Sequence, residues 1–77
     1  MERAMSEFRI VTEVAGRVCT LAVPAGADVG EGDDVVIVEA MKMEIPASSP
    51  AAGKITSILV DVDDAVVEGQ VVALLQT

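Results

Sequence analysis

The sequence contains no histidine, tryptophan or tyrosine, and only one cysteine and one phenylalanine. Without histidine, a Ser-His or Cys-His nucleophilic pair cannot be assembled, and transition metals lose their commonest ligand. The single cysteine, Cys19, has no partner for an intrachain disulfide, and its apolar neighbours predict a small buried side chain. The acidic residues are dispersed rather than convergent. We therefore expect a protein that is not itself an enzyme and that holds no metal.

Basic residues are also scarce: five of them stand against thirteen acidic ones, for a net charge of −8. Such a surface repels nucleic acid and anionic lipid, so neither is an expected partner. The longest apolar runs, 35–38 and 71–75, are too short to span a bilayer, and residues 1–6 lack the apolar stretch of a secretory signal. The sequence thus predicts a cytoplasmic protein.

Aliphatic residues dominate what is present. Hydrophobic residues make up 52% of the chain although Phe8 is its one aromatic side chain, so Val, Ile, Leu and Ala must fill the core. This composition favours strands, and no segment shows a 3.6-residue period. Short apolar runs separated by Gly, Pro and Asp predict an all-β sandwich or small barrel. We expect one domain over residues 8–77 and a disordered or partly ordered N-terminus over residues 1–7, with Met1 or Met5 as the start.

The chain is an internal duplication. An offset of 37 positions, the separation of Gly16 from Gly53, aligns it with itself without a gap. The matching segments are 16–18 with 53–55, 21–23 with 58–60, 29–32 with 66–69 and 35–38 with 72–75. Repeats of this size cannot bury a core alone. The sequence therefore predicts a pseudo-two-fold arrangement in which each half covers the apolar face of the other.

The acidic segment 61–64 allows two interpretations. It resembles part of a calcium-binding loop, but it lacks that loop's glycine and its distal bidentate glutamate. In the self-alignment it matches the segment 24–27, which contains Pro24 and Gly26 and reads as a turn. Because Asp favours turns through its own backbone hydrogen bonds, we expect a turn here.

The segment 39–46 departs from these local rules. It follows the apolar run 35–38, and Pro46 restricts the preceding residue to extended geometry. A chain reversal near Met41 and Lys42 would need positive φ, which Asn-Gly or Gly-Gly supply and Met-Lys does not. Such strain tends to occur at functional sites. An ordinary strand through Met41 and Met43 is the alternative interpretation.

Residues 39–43, Glu-Ala-Met-Lys-Met, resemble the signature of biotin carboxyl carrier proteins in the biotinyl/lipoyl attachment family, and small free-standing carriers most of all. The resemblance implies a flattened β barrel, also called a barrel-sandwich hybrid, of two antiparallel sheets related by a pseudo-two-fold axis. It also implies an exposed hairpin opposite the termini. Some bacterial members carry a protruding thumb, for which the connection 23–29 is too short. The resemblance also implies that biotin is attached to Lys42 by an amide bond, with Ala40, Met41 and Met43 around the cofactor.

The resemblance further implies a swinging arm that carries CO2, as carboxybiotin, between biotin carboxylase and carboxyltransferase sites of a carboxylase such as acetyl-CoA or acyl-CoA carboxylase. A biotin protein ligase would load Lys42, and Glu39 and Glu44 are expected to contribute to recognition by the ligase and other partners. Two alternatives remain: a lipoyl carrier domain of a 2-oxoacid dehydrogenase complex, and an unmodified structural barrel. The flanking methionines favour biotin over lipoate, whose lysine usually follows Asp and precedes Ala.

Overall fold

A computed structural model describes residues 6–77 of the chain. These residues form eight strands joined by turns: β1 (Glu7–Val11), β2 (Gly16–Leu21), β3 (Asp28–Val29), β4 (Asp34–Ala40), β5 (Met43–Ser48), β6 (Gly53–Ile58), β7 (Ala65–Val66) and β8 (Val71–Gln76). Over this part of the chain there is no helix with the length and apolar character needed to cross a membrane.

The strands form two four-stranded antiparallel sheets, in the orders β1-β8-β6-β3 and β5-β4-β2-β7. The predicted all-β architecture of two antiparallel sheets is confirmed. Each sheet contains strands from both halves of the sequence, because β2 pairs with β7 and β6 pairs with β3. Neither half is therefore a complete sheet by itself, and the two halves can fold only together.

The strand registers show that the duplication is structural as well as sequential. Arg17 pairs with Glu39 in one sheet, and Lys54 pairs with Gln76 in the other. Both pairings then shift register at equivalent points, between Val18 and Thr20 and between residues 55 and 57. Every one of these positions is related to its counterpart by the offset of 37. The structure thus has the pseudo-two-fold symmetry that the self-alignment predicted.

The repeat is longer than the sequence alignment indicated. Strand β1 occupies the position beside β8 that β5 occupies beside β4, so that Glu7 corresponds to Glu44. Just after these strands, the buried hydroxyls of Thr12 and Ser49 each donate to the carbonyl two residues ahead, at 2.9 and 2.7 Å. The two copies therefore run from 6 to 40 and from 43 to 77, and the pair Ala40–Met43 matches the pair Thr77–Ser6. Among the described residues, Met41 and Lys42 between the copies have no counterpart.

The acidic segment 61–64 forms the turn that was predicted. The Asp64 amide donates to the Asp61 carbonyl (3.1 Å), as Ala27 donates to Pro24 in the first copy (3.2 Å). Asp63 has a φ of 78° where its counterpart Gly26 has 92°. No group of three or more potential metal ligands occurs within residues 6–77.

The core lies between the sheets and is almost entirely aliphatic. Its buried members are Ile10, Val18, Val29, Val35, Val36, Val38, Ala47, Ile55, Val60, Val66, Val72, Ala73 and Leu75. Many of them are related by the offset of 37, as Val18 and Ile55 are.

Cys19 is half-buried rather than fully buried, because its side chain lies at the edge of this core with Sγ 3.4 Å from the Ile37 carbonyl.

Strand β1 begins at Glu7, the last residue of the segment 1–7 for which disorder or partial order was predicted. The amide and hydroxyl of Thr77 both donate to the Ser6 carbonyl, at 3.0 and 3.4 Å, which joins the two ends of the described chain. The question of Met1 or Met5 as the start concerns residues 1–5, which lie outside the described part of the chain.

Two glycines allow the close approach of strands within each sheet. A Cβ atom built on Gly16 would overlap the carbonyl oxygen of Glu39, and one on Gly53 would lie 2.5 Å from the carbonyl oxygen of Gln76. Both contacts are with backbone atoms, which cannot rotate away. Glycine at the start of β2 and of β6 is therefore a packing requirement of this fold.

We expect Gly16→Ala to lower the free energy of unfolding by about 1–3 kcal/mol, since overpacking forces the backbone to shift. Gly30→Ala is the control, because the nearest contact to a Cβ there is the Asp33 carboxylate at 3.7 Å. That variant should lose no stability. Urea denaturation of both variants measures the difference, and equal losses at the two positions would contradict the close-approach explanation.

Candidate functional site

The end of the β4–β5 hairpin presents the predicted site residues. The ladder between these strands runs from Asp34 opposite Ser48 to Ala40 opposite Met43, which leaves Met41 and Lys42 as the two turn residues. The reversal proposed at Met41 and Lys42 is thus confirmed, and the ordinary-strand interpretation is wrong. The chain reverses here because residues 41 and 42 join two copies of a unit that pack against each other.

Symmetry fixes where this hairpin tip lies in the molecule. The pseudo-two-fold axis exchanges the pair Glu39–Glu44 with the pair Gln76–Glu7, so the tip and the ends of the described chain lie on opposite sides of the axis. Two surface grooves lie on the axis itself, each lined by symmetry-related residues; one includes Ile10 and Ala47, and the other includes Leu21 and Ile58. Neither groove includes a residue of the turn.

The turn backbone is strained. Met41 has a φ of 53° and Lys42 a φ of 67°, which is the left-handed region at both central positions. Two-residue turns with positive φ at both positions match the twist of paired strands, but they normally contain Asn and Gly. Non-glycine residues held in this region cost on the order of 1–3 kcal/mol each. The folded protein thus carries an energetic cost at Met41 and Lys42, whose side chains contribute nothing to the core.

The side chains of Met41, Lys42 and Met43 all project into solvent. Met41 is 94% exposed and Met43 is 63% exposed, and Lys42 between them is also exposed. Within residues 6–77, the Lys42 amine has neither a hydrogen-bond partner nor an ion-pair partner. The arrangement therefore presents one amine, flanked by two thioethers, at the end of a rigid ladder.

Charged residues lie directly behind the turn. Glu39 and Glu44 face each other across β4 and β5, one pair below Ala40 and Met43. Directly opposed like charges destabilise a sheet. The Arg17 guanidinium relieves this repulsion, since it lies 3.2 Å from the Glu39 carboxylate and 3.9 Å from that of Asp63. All of these groups are largely exposed, so the ion pairs add little stability.

Arg17 was absent from the residues predicted for the site. The self-alignment placed a basic residue at this position in both copies, Arg17 and Lys54, but it contained no sign of an acidic partner. The partnership arises from the β2–β4 register, which sets Arg17 opposite Glu39. At the other end of the molecule the corresponding partner of Lys54 is the neutral Gln76. The charge pattern therefore distinguishes the tip from its symmetry-related end.

The predicted site residues come together as expected. Glu39 and Ala40 end β4 and are half-buried, whereas Met43 and Glu44 begin β5 and are exposed. Lys42 carries the one amine among these side chains. Within residues 6–77 no converging set of acids and bases surrounds that amine, and its exposure lets the tip be modified and be bound.

A protein-family comparison identifies the domain. The family model described as biotin-requiring enzyme matches residues 7–75, which is nearly the whole described chain. The chain belongs to this biotin/lipoyl attachment family. The family match agrees with the resemblance seen in the Glu-Ala-Met-Lys-Met segment, and covalently bound biotin is the cofactor that it supports.

Individual relatives of this biotinyl domain fall into two size classes. A biotinylated protein TB7.3 homolog of Mycobacterium leprae is 35% identical over 82% of the chain and 89% of that protein. The biotin-dependent acyl-coenzyme A carboxylase alpha3 subunit of the same organism is 39% identical over 91% of the chain but only 12% of the subunit. The domain thus corresponds to nearly all of a small relative and to a minor part of a large one.

Solved structures give the same result for the fold. The crystal structure of Kluyveromyces lactis urea carboxylase matches 97% of the chain with a TM-score of 0.88 and 32% identity, over 7% of that protein. A single-chain, multi-domain long-chain acyl-CoA carboxylase matches the whole chain with a TM-score of 0.84 and 30% identity, over 8% of its length. The biotinyl domain is therefore a non-catalytic carrier domain of the kind found in biotin-dependent carboxylases.

The strain in the turn has a measurable consequence. Replacing Met41 with Asn and Lys42 with Gly should raise the free energy of unfolding by about 1–3 kcal/mol, because both residues tolerate positive φ. Val62→Gly, at an exposed turn position without positive φ, should give no gain and serves as the control. Thermal or urea unfolding checks both. A double variant no more stable than the wild type would contradict the strain argument.

Proposed function

We propose that Lys42 is the residue to which biotin is attached, and that the domain serves as a biotin carboxyl carrier of a biotin-dependent carboxylase. The observation that carries the proposal is the exposed Lys42 amine on a strained turn. Within residues 6–77 this amine has no hydrogen-bond or ion-pair partner, and it lies away from the joined ends of the described chain. Lys54, the other lysine of the sequence, lies within the β6 strand and not on a strained turn. The position on the turn therefore distinguishes Lys42 from Lys54.

The residues present fit an amide-linked cofactor. Attachment through an amide needs a free amine that an acyl group can reach from several directions, and the exposure of Lys42 provides this access. Neither of the two grooves on the pseudo-two-fold axis includes a residue of the turn. The domain is thus suited to displaying biotin rather than to burying it.

We assign deprotonation of the Lys42 amine to a partner protein and not to a side chain of residues 6–77. A protonated amine has no lone pair with which to attack an activated acyl group, so a base must act before the amide forms. The Glu39 carboxylate is paired with the Arg17 guanidinium, and no side chain within residues 6–77 makes a hydrogen bond with the Lys42 amine through which it could take the proton. We therefore assign the base to a biotin protein ligase, and we assign Glu39 and Glu44 to recognition by that ligase.

Once attached, biotin supplies a ureido nitrogen able to accept CO2, and the domain supplies its position. A flexible side chain on a rigid support keeps a tethered group at high effective concentration near two separate sites without tight binding. Proposed partners on this basis are a biotin carboxylase and a carboxyltransferase. The acyl-coenzyme A carboxylase subunit among the relatives supports an acyl-CoA carboxylase as the parent enzyme.

Met41, Met43 and Ala40 are the proposed contact residues around the modified lysine. Methionine is flexible and polarisable, so it adapts to differently shaped surfaces. A carrier that visits a ligase and two active sites needs such adaptability. Ala40 faces Met43 across the ladder and presents only a methyl group, which leaves space beside the lysine.

Replacing Lys42 with Arg should abolish biotinylation while leaving the fold intact, since the guanidinium is not acylated and the Lys42 side chain has no partner among residues 6–77. Lys54→Arg should be labelled as fully as the wild type. Incubation with biotin, ATP and a biotin protein ligase, followed by intact mass and peptide mapping, checks both variants. Full labelling of Lys42→Arg would refute the assignment.

Symmetry supplies a matched control for the proposed role of Glu44. Glu44→Gln should lower kcat/KM for labelling by about tenfold, the loss expected for one charge-assisted contact. Glu7→Gln removes the same charge from the symmetry-related backbone position at the opposite end, and should have no effect. Equal effects of the two variants on ligase kinetics would indicate a response to net charge, against recognition of the tip.

A further inference from the structure

The two methionines beside Lys42 cannot withdraw from solvent. Met41 is a turn residue, and its backbone conformation directs the chain away from the sheets. Met43 begins β5, and its cross-strand neighbour Ala40 covers only part of it. Elsewhere in residues 6–77 there is no methionine, and the core consists of aliphatic residues that do not oxidise. Both thioethers of the described chain are therefore concentrated at the functional tip.

An exposed thioether reacts with a hydroperoxide. A sulfur lone pair attacks the terminal peroxide oxygen, the S–O bond forms as the O–O bond breaks, and proton transfer to the departing oxygen gives water or an alcohol. The sulfur is oxidised by two electrons and the peroxide is reduced by two. The resulting sulfoxide is polar, and methionine sulfoxide reductases return it to the thioether.

We propose that Met41 and Met43 form a reversible oxidation site, at which hydroperoxides control whether partners recognise Lys42. The proposal rests on the proposed function, because it requires that Lys42 be the residue that partners read. A partner surface that accommodates two thioethers would have to bury two polar S=O groups after oxidation, and unpaired polar groups weaken binding. Oxidation of Met41 and Met43 therefore weakens the binding of partners to the tip.

The same oxidation should leave the fold unchanged. Both side chains lie outside the core, and neither makes a hydrogen bond within the described residues. The positive φ values of the turn are imposed by the ladder beneath it rather than by methionine contacts. This separation of recognition from stability distinguishes the proposal from general oxidative damage, which would lower both.

The test compares untreated apo-protein with protein treated with hydrogen peroxide. Peptide mapping should show sulfoxides at Met41 and Met43, and the melting temperature should not change. Labelling by a biotin protein ligase with biotin and ATP should fall by about tenfold in kcat/KM, the effect of burying one or two unpaired polar groups. Treatment with both sulfoxide reductases, one for each epimer, should restore the rate.

A double variant, Met41→Leu with Met43→Leu, keeps Met1 and Met5 and is the control for oxidation elsewhere. Whatever its starting rate, the ratio of treated to untreated labelling should stay near one. An equal loss in this variant, or full-rate labelling of wild type oxidised at both positions, would overturn the proposal. Untreated wild type that fails to accept biotin at Lys42 would instead refute the attachment site itself, so the two failures can be told apart.

Discussion

The structure depends on the exchange of strands between the two copies of the repeat. Strand β2 of the first copy needs β7 of the second, and β6 of the second needs β3 of the first. The halves also bond through their turns: Val18 and Asp64 share a hydrogen bond of 2.9 Å, and Ile55 and Ala27 share one of 2.8 Å. A unit this small cannot bury an aliphatic core by itself, and the exchange lets each copy complete the other.

The exchange also creates the functional tip. The end of one copy must be joined to the beginning of the next, and the antiparallel pairing of β4 with β5 leaves a two-residue reversal for that purpose. The extended ladder holds the reversal in a left-handed conformation that Met41 and Lys42 would not adopt by preference. The paired strands on either side of the turn are regular and sustain its strain. They hold the Lys42 amine in a fixed place.

Charge separates two ends that share one backbone geometry. The row Arg17, Glu39 and Glu44 lies across three strands behind the tip, and its counterpart consists of Lys54, Gln76 and Glu7. The tip row contains an ion pair and an additional acid, whereas the other row has a neutral residue at its centre. A partner that responds to surface charge can therefore distinguish the end with Lys42 from the end where Ser6 and Thr77 meet.

The sequence by itself determined the strand content, the duplication and the unusual segment 39–46. The first and the last follow from local composition, and the duplication follows from the self-alignment at an offset of 37. The aliphatic runs predicted the β core, and the missing turn residues identified 41–42 as a strained reversal. Tertiary structure decided what local patterns do not encode. The repeat extends back to β1 through the weak likeness of Thr12 to Ser49, and only strand register reveals it. Arg17 meets Glu39, 22 residues away, for the same reason: a cross-strand contact depends on which residues the ladder sets opposite each other.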